Sequence, residues 1–200
     1  IRSIVHRNDE GEPDGVVSYE IDKDFGSQIT VVDMVATTPN AEVALWEFLA
    51  SVDLIETIKA PQVDPATPLP WAVEDPRVVT FIRHTDLGWL RILDVDRAMA
   101  VRGWDHQGSV TFHVTDSMGY AEGTWRVDVD APGTPATVTR IDDSTDAATL
   151  DVAALGSLYF GMGRGFSLAA AHRITGTDEQ IAAIDRMFST VDVAHNISEF

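Results

Sequence analysis

Twice along this chain the apolar residues recur at alternate positions and then change to helical spacing, and that repeated switch constrains the fold more than any single motif. In the first half, "GVVSYEID" (Gly15–Asp22) and "SQITVVDMVAT" (Ser27–Thr37) are rich in β-branched residues, which suit a pleated, half-buried surface. The link "KDFG" between them suits a hairpin. In "TPNAEVALWEFLASVD", Ala41, Ala44, Leu45, Phe48, Leu49 and Val52 fall on one helical face. Thr38 is placed to cap that helix and Pro39 to open its first turn. "LIETIKA" (Leu54–Ala60) predicts another strand, and "PQVDPATPLPW" a proline-rich loop. "RVVTFIRHT" and "GWLRILDV" predict a strand pair around a turn near Asp86–Gly88. "DVDRAMAVRG" (Asp94–Gly103) predicts a short helix ended by glycine.

The second half begins again with strands. Val110, Phe112 and Val114 alternate with Thr111, His113 and Thr115, and Trp125, Val127 and Val129 with Arg126, Asp128 and Asp130. Each strand should bury one face and wet the other. "PATVTRID" continues the sheet. From Thr149 the pattern turns helical through "LDVAALGSLYFG", breaks at "GMGRG" and resumes in "SLAAAHRI". "TDEQIAAIDRMFST" opens with Thr177 and Gln180 in capping-box spacing and should bury Ile181, Ile184 and Phe188. The chain therefore reads as two α+β units, residues 1–90 and 91–200. The first has few strands for a sheet with its own core, which predicts that it is incomplete at its N-terminus.

Composition removes several functions. With 32 acidic against 14 basic residues the formal charge is −18, so a phosphate backbone is repelled and nucleic acid is not an expected partner. The same charge favours cations such as polyamines, amino sugars or lysine-rich proteins, although solubility alone also explains it. Cysteine is absent, which excludes disulfides, zinc thiolates and a cysteine nucleophile. No apolar run of about eighteen residues exists, so no membrane span is expected.

Isolated chemical motifs are weak. The glycines of "GMGRG" (Gly161, Gly163, Gly165) follow a helix, whereas a dinucleotide loop follows a strand; they are expected to end that helix and turn the chain. His6, His84, His106, His113, His172 and His195 show no metal-ligand spacing, so no metal is expected. GxSxG is absent. The acids of "DVDAP" and "RIDDSTD" lack the spacing of a calcium loop. Trp46, Trp71, Trp89 and Trp125 are expected in packed cores.

The chain stops on an acid and an aromatic, Glu199 and Phe200. An apolar pocket for the Phe200 ring would fix its α-carboxylate in space. If that group pointed into a cleft, it and Glu199 would hold cationic amines. An α-carboxyl titrates at about 3.3–3.7 when unperturbed, so it needs burial or a relaying water to act as a base.

Several stretches together resemble the enhanced intracellular survival (Eis) family of actinobacterial N-acetyltransferases. They are "VALWEFLASVDLIETIKA", "DPATPLPWAVEDPRVV", "GWLRILDVDRAMAVRGW", "LDVAALGSLYFGMG" and the terminal "EF". The resemblance implies an α+β fold, with part of a GNAT-like acyltransferase domain over residues 1–90 and a sterol-carrier-protein-2-like domain over 91–200. It implies acetyl transfer from acetyl-CoA to amines of aminoglycosides or of protein lysines. The acetyl-CoA would be bound by an N-terminal half that has no counterpart here, leaving this portion inactive alone. The resemblance carries the general base onto the C-terminal carboxylate of Phe200, with Glu199 as a substrate-holding anion. It implies a homo-oligomer, a hexamer in the family, located in the cytoplasm or exported. The family's proton-donating tyrosine matches none of Tyr19, Tyr120 and Tyr159. A lipid-binding module and an oligomerisation scaffold are the rival readings. An open apolar tunnel would favour the first. One filled by Phe160, Phe166 and Phe188 would oppose it.

Overall fold

Alternating β-branched residues near the N-terminus form strands because each residue pair offers one side chain to a helix and one to solvent. In the computed structural model, which describes residues 1–22, 27–86, 88–143 and 145–196, these strands are β1 (Arg2–Arg7), β2 (Pro13–Ile21) and β3 (Gln28–Ala36). They pair antiparallel in that order, and β4 (Thr57–Lys59) joins β3 in parallel. Ile21 lies opposite Ile29 across the expected hairpin; its link "KDFG" lies outside the described residues. The chain divides into two compact units, one of Ile1–Thr85 with the tail from His195 onward, the other of Asp86–Ala194.

Helix α1 (Pro39–Ala50) begins as its sequence predicts, with the Thr38 side chain accepting from the Ala41 N–H. It lays Leu45, Trp46 and Leu49 against Val17, Tyr19, Ile29 and Val31 of the first sheet. Gly15 allows this approach: a Cβ there would stand 3.1 Å from Leu45 Cδ1.

Three expectations for this region fail. The strand expected over Leu54–Ala60 shrinks to Thr57–Lys59. The strand pair expected from "RVVTFIRHT" and "GWLRILDV" is absent among the described residues, which hold only a 3-10 turn at Pro76–Val78. Strands need a ladder and a buried face, yet the three-residue β4 offers little ladder, and Val78, Phe81, Ile82, Trp89 and Leu93 are exposed. Trp71 and Trp89 are not core residues but 87% and 93% exposed. Trp71 sits on a four-residue helix, α2 (Leu69–Ala72), which buries nothing.

In the second unit β5 (Gly108–Thr115), β6 (Gly123–Val129) and β7 (Thr137–Ile141) form an antiparallel meander. Strand β8 (Ala148–Asp151) pairs parallel with β5, and β9 (Ile174–Thr175) antiparallel with β8. The predicted alternation holds, with Val110, Phe112, Val114, Trp125, Val127 and Val129 buried. Strand β8 occupies positions expected to be helical. A four-residue strand carries too few alternations to stand out beside the helix that follows it.

Helices α3 (Val95–Val101), α4 (Val152–Tyr159), α5 (Gly165–Ala170) and α6 (Asp178–Phe188) complete the second unit. The predicted capping box of Thr177 and Gln180 is formed at the start of α6. Ile184 and Phe188 are fully buried and Ile181 partly. Helix α3 is not ended by glycine: its C-cap is Arg102, in extended conformation. The Arg102 guanidinium donates to the carbonyls of Tyr159 at 3.0 Å, Phe188 at 2.8 Å and Gly103 at 3.2 Å, and lies 4.6 Å from the Trp104 ring centroid. One cation therefore closes the C-terminal ends of α3, α4 and α6, where carbonyl dipoles concentrate negative charge.

Replacing Arg102 by Ala strands three carbonyls, so unfolding should become easier by about 3 kcal/mol or more, measured by urea denaturation. Gly165 is equally constrained, since a Cβ there would lie 2.8 Å from the Asp185 backbone nitrogen and 2.9 Å from its Cα. Gly165→Ala should destabilise by about 1–3 kcal/mol, seen as a lower Tm in calorimetry.

Candidate functional site

The two residues singled out by sequence, Glu199 and Phe200, lie outside the described residues, which end at Asn196. What the structure describes is the path of the chain as far as Asn196. Helix α6 ends at Phe188, whose carbonyl is held by Arg102. Ser189 Oγ then meets His106 Nε2 at 3.0 Å, and the Val191 N–H donates to Asp105 Oδ2 at 2.8 Å. Thr190 Oγ1 donates to the Asp192 carbonyl at 2.7 Å and packs over Gly161, where a Cβ would stand 2.5 Å from that oxygen. From His195 the chain belongs to the first unit. There His195 Nδ1 lies 3.6 Å from Asp64 Oδ1.

Asp64 is held in place by its own loop. Its carboxylate accepts the Ala66 N–H at 2.7 Å and its carbonyl accepts the Thr67 N–H at 3.0 Å. Thr67, buried, donates its hydroxyl to Glu42 Oε1, and the same oxygen accepts the Trp46 indole N–H at 3.2 Å. The proline-rich loop is thus fastened to α1 through one carboxylate. No partner for Asp64 was foreseen; its stretch was legible only as a proline-rich loop.

The other polar groups have structural assignments. The Ser189–His106 contact is not an activated nucleophile, because the hydroxyl donates its proton to the Arg186 carbonyl at 2.8 Å and so accepts from the ring. His6 Nδ1 meets Asp14 Oδ1 at 2.6 Å and joins the ends of β1 and β2. Among the described residues no group of three or more His, Asp and Glu is arranged to hold a metal ion. Tyr19 is buried edge-on to Phe48, while Tyr120 is exposed.

Asp116 is buried and held below the usual carboxylate range, first by the Ala121 N–H, with further donation from Met118 and charge from Arg91. Asp185 is lowered first by its hydrogen bonds with Arg164, at 2.5 and 3.0 Å, and by the Phe166 N–H. Burial lowers the Arg102 guanidinium. These groups brace loops and helix ends of the second unit.

Helix N-termini are where a protein of this kind could cradle a phosphate. In α1 the Ala41 N–H is taken by Thr38, Pro39 has none to offer, and Glu42 stands in the first turn. In α4 the Asp151 carboxylate caps Ala154, and in α6 the capping box is followed by Asp178 and Glu179. The glycines of "GMGRG" serve packing instead. Gly161 ends α4 with φ +75°, and Gly165 abuts α6.

Comparison with known proteins agrees with this two-unit structure. Residues 1–92 match the acetyltransferase (GNAT) domain, and residues 95–195 match the sterol carrier protein domain. An uncharacterized N-acetyltransferase of Streptomyces avermitilis is 36% identical over 186 residues, covering 90% of this chain and 44% of that protein. The N-acetyltransferase Eis of Mycobacterium tuberculosis is 34% identical over 175 residues, 84% of this chain and 40% of its own length. The crystal structure of Eis1 from Mycobacterium abscessus superposes with a TM-score of 0.81 at 31% identity, over 94% of this chain and 49% of that one. The chain spans less than half the length of the curated relatives it matches. The chain belongs to the sterol carrier protein domain family through its second half, joined to a GNAT acetyltransferase domain in the first. Its homologues are N-acetyltransferases that include Eis. GNAT domains in general use acetyl-CoA, but the N-termini of α1, α4 and α6 are each capped by a side chain, with Glu42 in the first turn of α1 and Asp178 and Glu179 in that of α6, and do not fit its pyrophosphate.

The lowered carboxyls carry a pH signature. Their folded pKa values lie below the unfolded carboxyl value of about 3.9, so their stabilisation is complete above that pH and is lost as pH falls through and below it. Thermal unfolding followed from pH 6 to pH 3 should show a Tm that falls below about pH 4, with a shallower fall in Asp185→Asn.

Proposed function

We propose that this chain is the C-terminal portion of an acetyl-CoA-dependent N-acetyltransferase acting on amines of aminoglycosides or of protein lysines. The C-terminal carboxylate of Phe200 serves as general base, and Glu199 holds the cationic substrate. The observation that most supports this reading is the path of the tail. It leaves the second unit at Ala194, and His195 and Asn196 belong to the acetyltransferase unit. The chemistry suits the residues. A polycationic amine is drawn to a chain of formal charge −18, and a carboxylate removes a proton from the attacking nitrogen as the C–N bond forms and the thioester C–S bond breaks, CoA leaving as the thiol. The acetyl donor is held by parts of a longer protein beyond these 200 residues, so the chain alone is inactive. The second unit acts as the scaffold that delivers the tail, in a homo-oligomer.

A lipid-carrier role for the second unit is opposed by its interior. Trp104, Phe112, Met99, Met187 and Phe188 fill the space between sheet and helices, all fully buried. The Phe188 ring stands 5.2 Å from Trp104 and 5.9 Å from Phe112, edge to face. Of the three rings whose filling of a tunnel would oppose that role, Phe188 is buried, while Phe160 and Phe166 are about half exposed.

Deleting Glu199 and Phe200 from the parent enzyme should lower kcat for aminoglycoside acetylation at least about tenfold, the lower range for a lost acid–base group, in a thiol-release assay. Unchanged turnover would remove the tail from the reaction.

A further inference from the structure

The loop "DPATP" (Asp64–Pro68) has no part in the function proposed so far, yet it is fastened both within itself and to α1. We infer that Asp64 is a positioning residue for the C-terminal tail: by pairing with His195 it fixes the point at which the tail is held on the first unit. The inference rests on the reading of the tail as carrier of the catalytic carboxylate.

The geometry supports it in three ways. First, Asp64 is preset before it meets the tail. Its Oδ1 accepts the Ala66 N–H at 2.7 Å, and the same oxygen faces His195 Nδ1 at 3.6 Å. Second, the loop cannot drift, because Thr67 is bound to Glu42 of α1, and Glu42 also accepts from Trp46 in the core. Third, His195 is the first tail residue of this unit, with four residues remaining between Asn196 and the end of the chain. An anchor that close to a terminus limits the volume the terminal carboxylate can explore, since each residue adds at most about 3.6 Å of reach. A reacting group gains from being held near its target in advance. Both side chains are about one-third exposed, so the pair is a modest tether that biases the tail without locking it.

The test uses the 200-residue chain with carboxypeptidase A, which removes a C-terminal aromatic residue, and mass spectrometry to time the loss of Phe200. Asp64→Asn keeps an acceptor for the Ala66 N–H while removing the charge. At pH 6, release from Asp64→Asn and from His195→Gln should be about two- to fivefold faster, the range of an exposed ion pair. His195→Lys, which keeps the charge, should restore slow release, and Asp75→Asn on the same unit should change nothing. Equal release from Asp64→Asn, His195→Gln and the unaltered chain overturns the inference, as does faster release from His195→Lys. In the parent enzyme Asp64→Asn should lower kcat by the same factor and leave KM unchanged. Faster release with unchanged kcat retains the tether and removes the base. A tail deletion that abolishes turnover, with release insensitive to Asp64, retains the base and removes the tether.

Discussion

The second unit depends on a cation buried among helix ends. Arg102 closes α3 and receives the last carbonyls of α4 and α6, stacked on Trp104. Burying a guanidinium is costly unless its donors are satisfied, and here three carbonyls and an aromatic face satisfy it. The consequence reaches past the core. Phe188 is both a ring in the core and the residue from which the tail departs, so fixing its carbonyl fixes the tail's starting direction. His106, Asp105 and Gly161 then guide the next residues in turn.

This arrangement explains why a fold shared with sterol carriers need not carry a lipid. The space beneath the helices is occupied by rings and by the side chains of Met99 and Met187. Gly165 lets α5 lie close on α6, where a Cβ would meet Asp185 backbone atoms at 2.8 and 2.9 Å, and Gly156 lets α4 approach the Leu90 carbonyl, 3.0 Å from such a Cβ. A rigid unit of this kind is suited to holding a peptide terminus at a set place, which is the role proposed for it.

Legibility in the sequence followed the range of the interactions. Local signals were plain: the Thr38 cap, the Thr177–Gln180 box, and the alternation of β5 and β6 each depend on residues a few positions apart. The family resemblance supplied the order of the two folds, which periodicity alone could not. Features made by distant partners were not legible. Strand β8 is defined by its parallel pairing with β5, dozens of residues earlier. Nothing near Arg102 announces Tyr159 or Phe188. Trp71 and Trp89 read as core residues because they are large and apolar, but burial also requires an element packed over them, and the described residues between them form only the 3-10 turn at Pro76–Val78. Asp64 looked like one more turn residue in a proline-rich loop until His195 was found beside it. Glu199 and Phe200, noticed as a terminal acid and aromatic and given their roles by resemblance, lie beyond the described residues.

The function proposed for this chain divides an enzyme's labour: the 200 residues supply anions, a scaffold and a terminus, and the acetyl donor is held elsewhere. The capped helix N-termini, with Glu42, Asp178 and Glu179 in their first turns, give that division its physical basis. Calorimetric titration of the isolated chain with acetyl-CoA tests it most directly. The expected result is no heat of binding up to about 1 mM ligand. Saturable binding at about 10 μM or tighter would place the cofactor within these two units and contradict the proposed division.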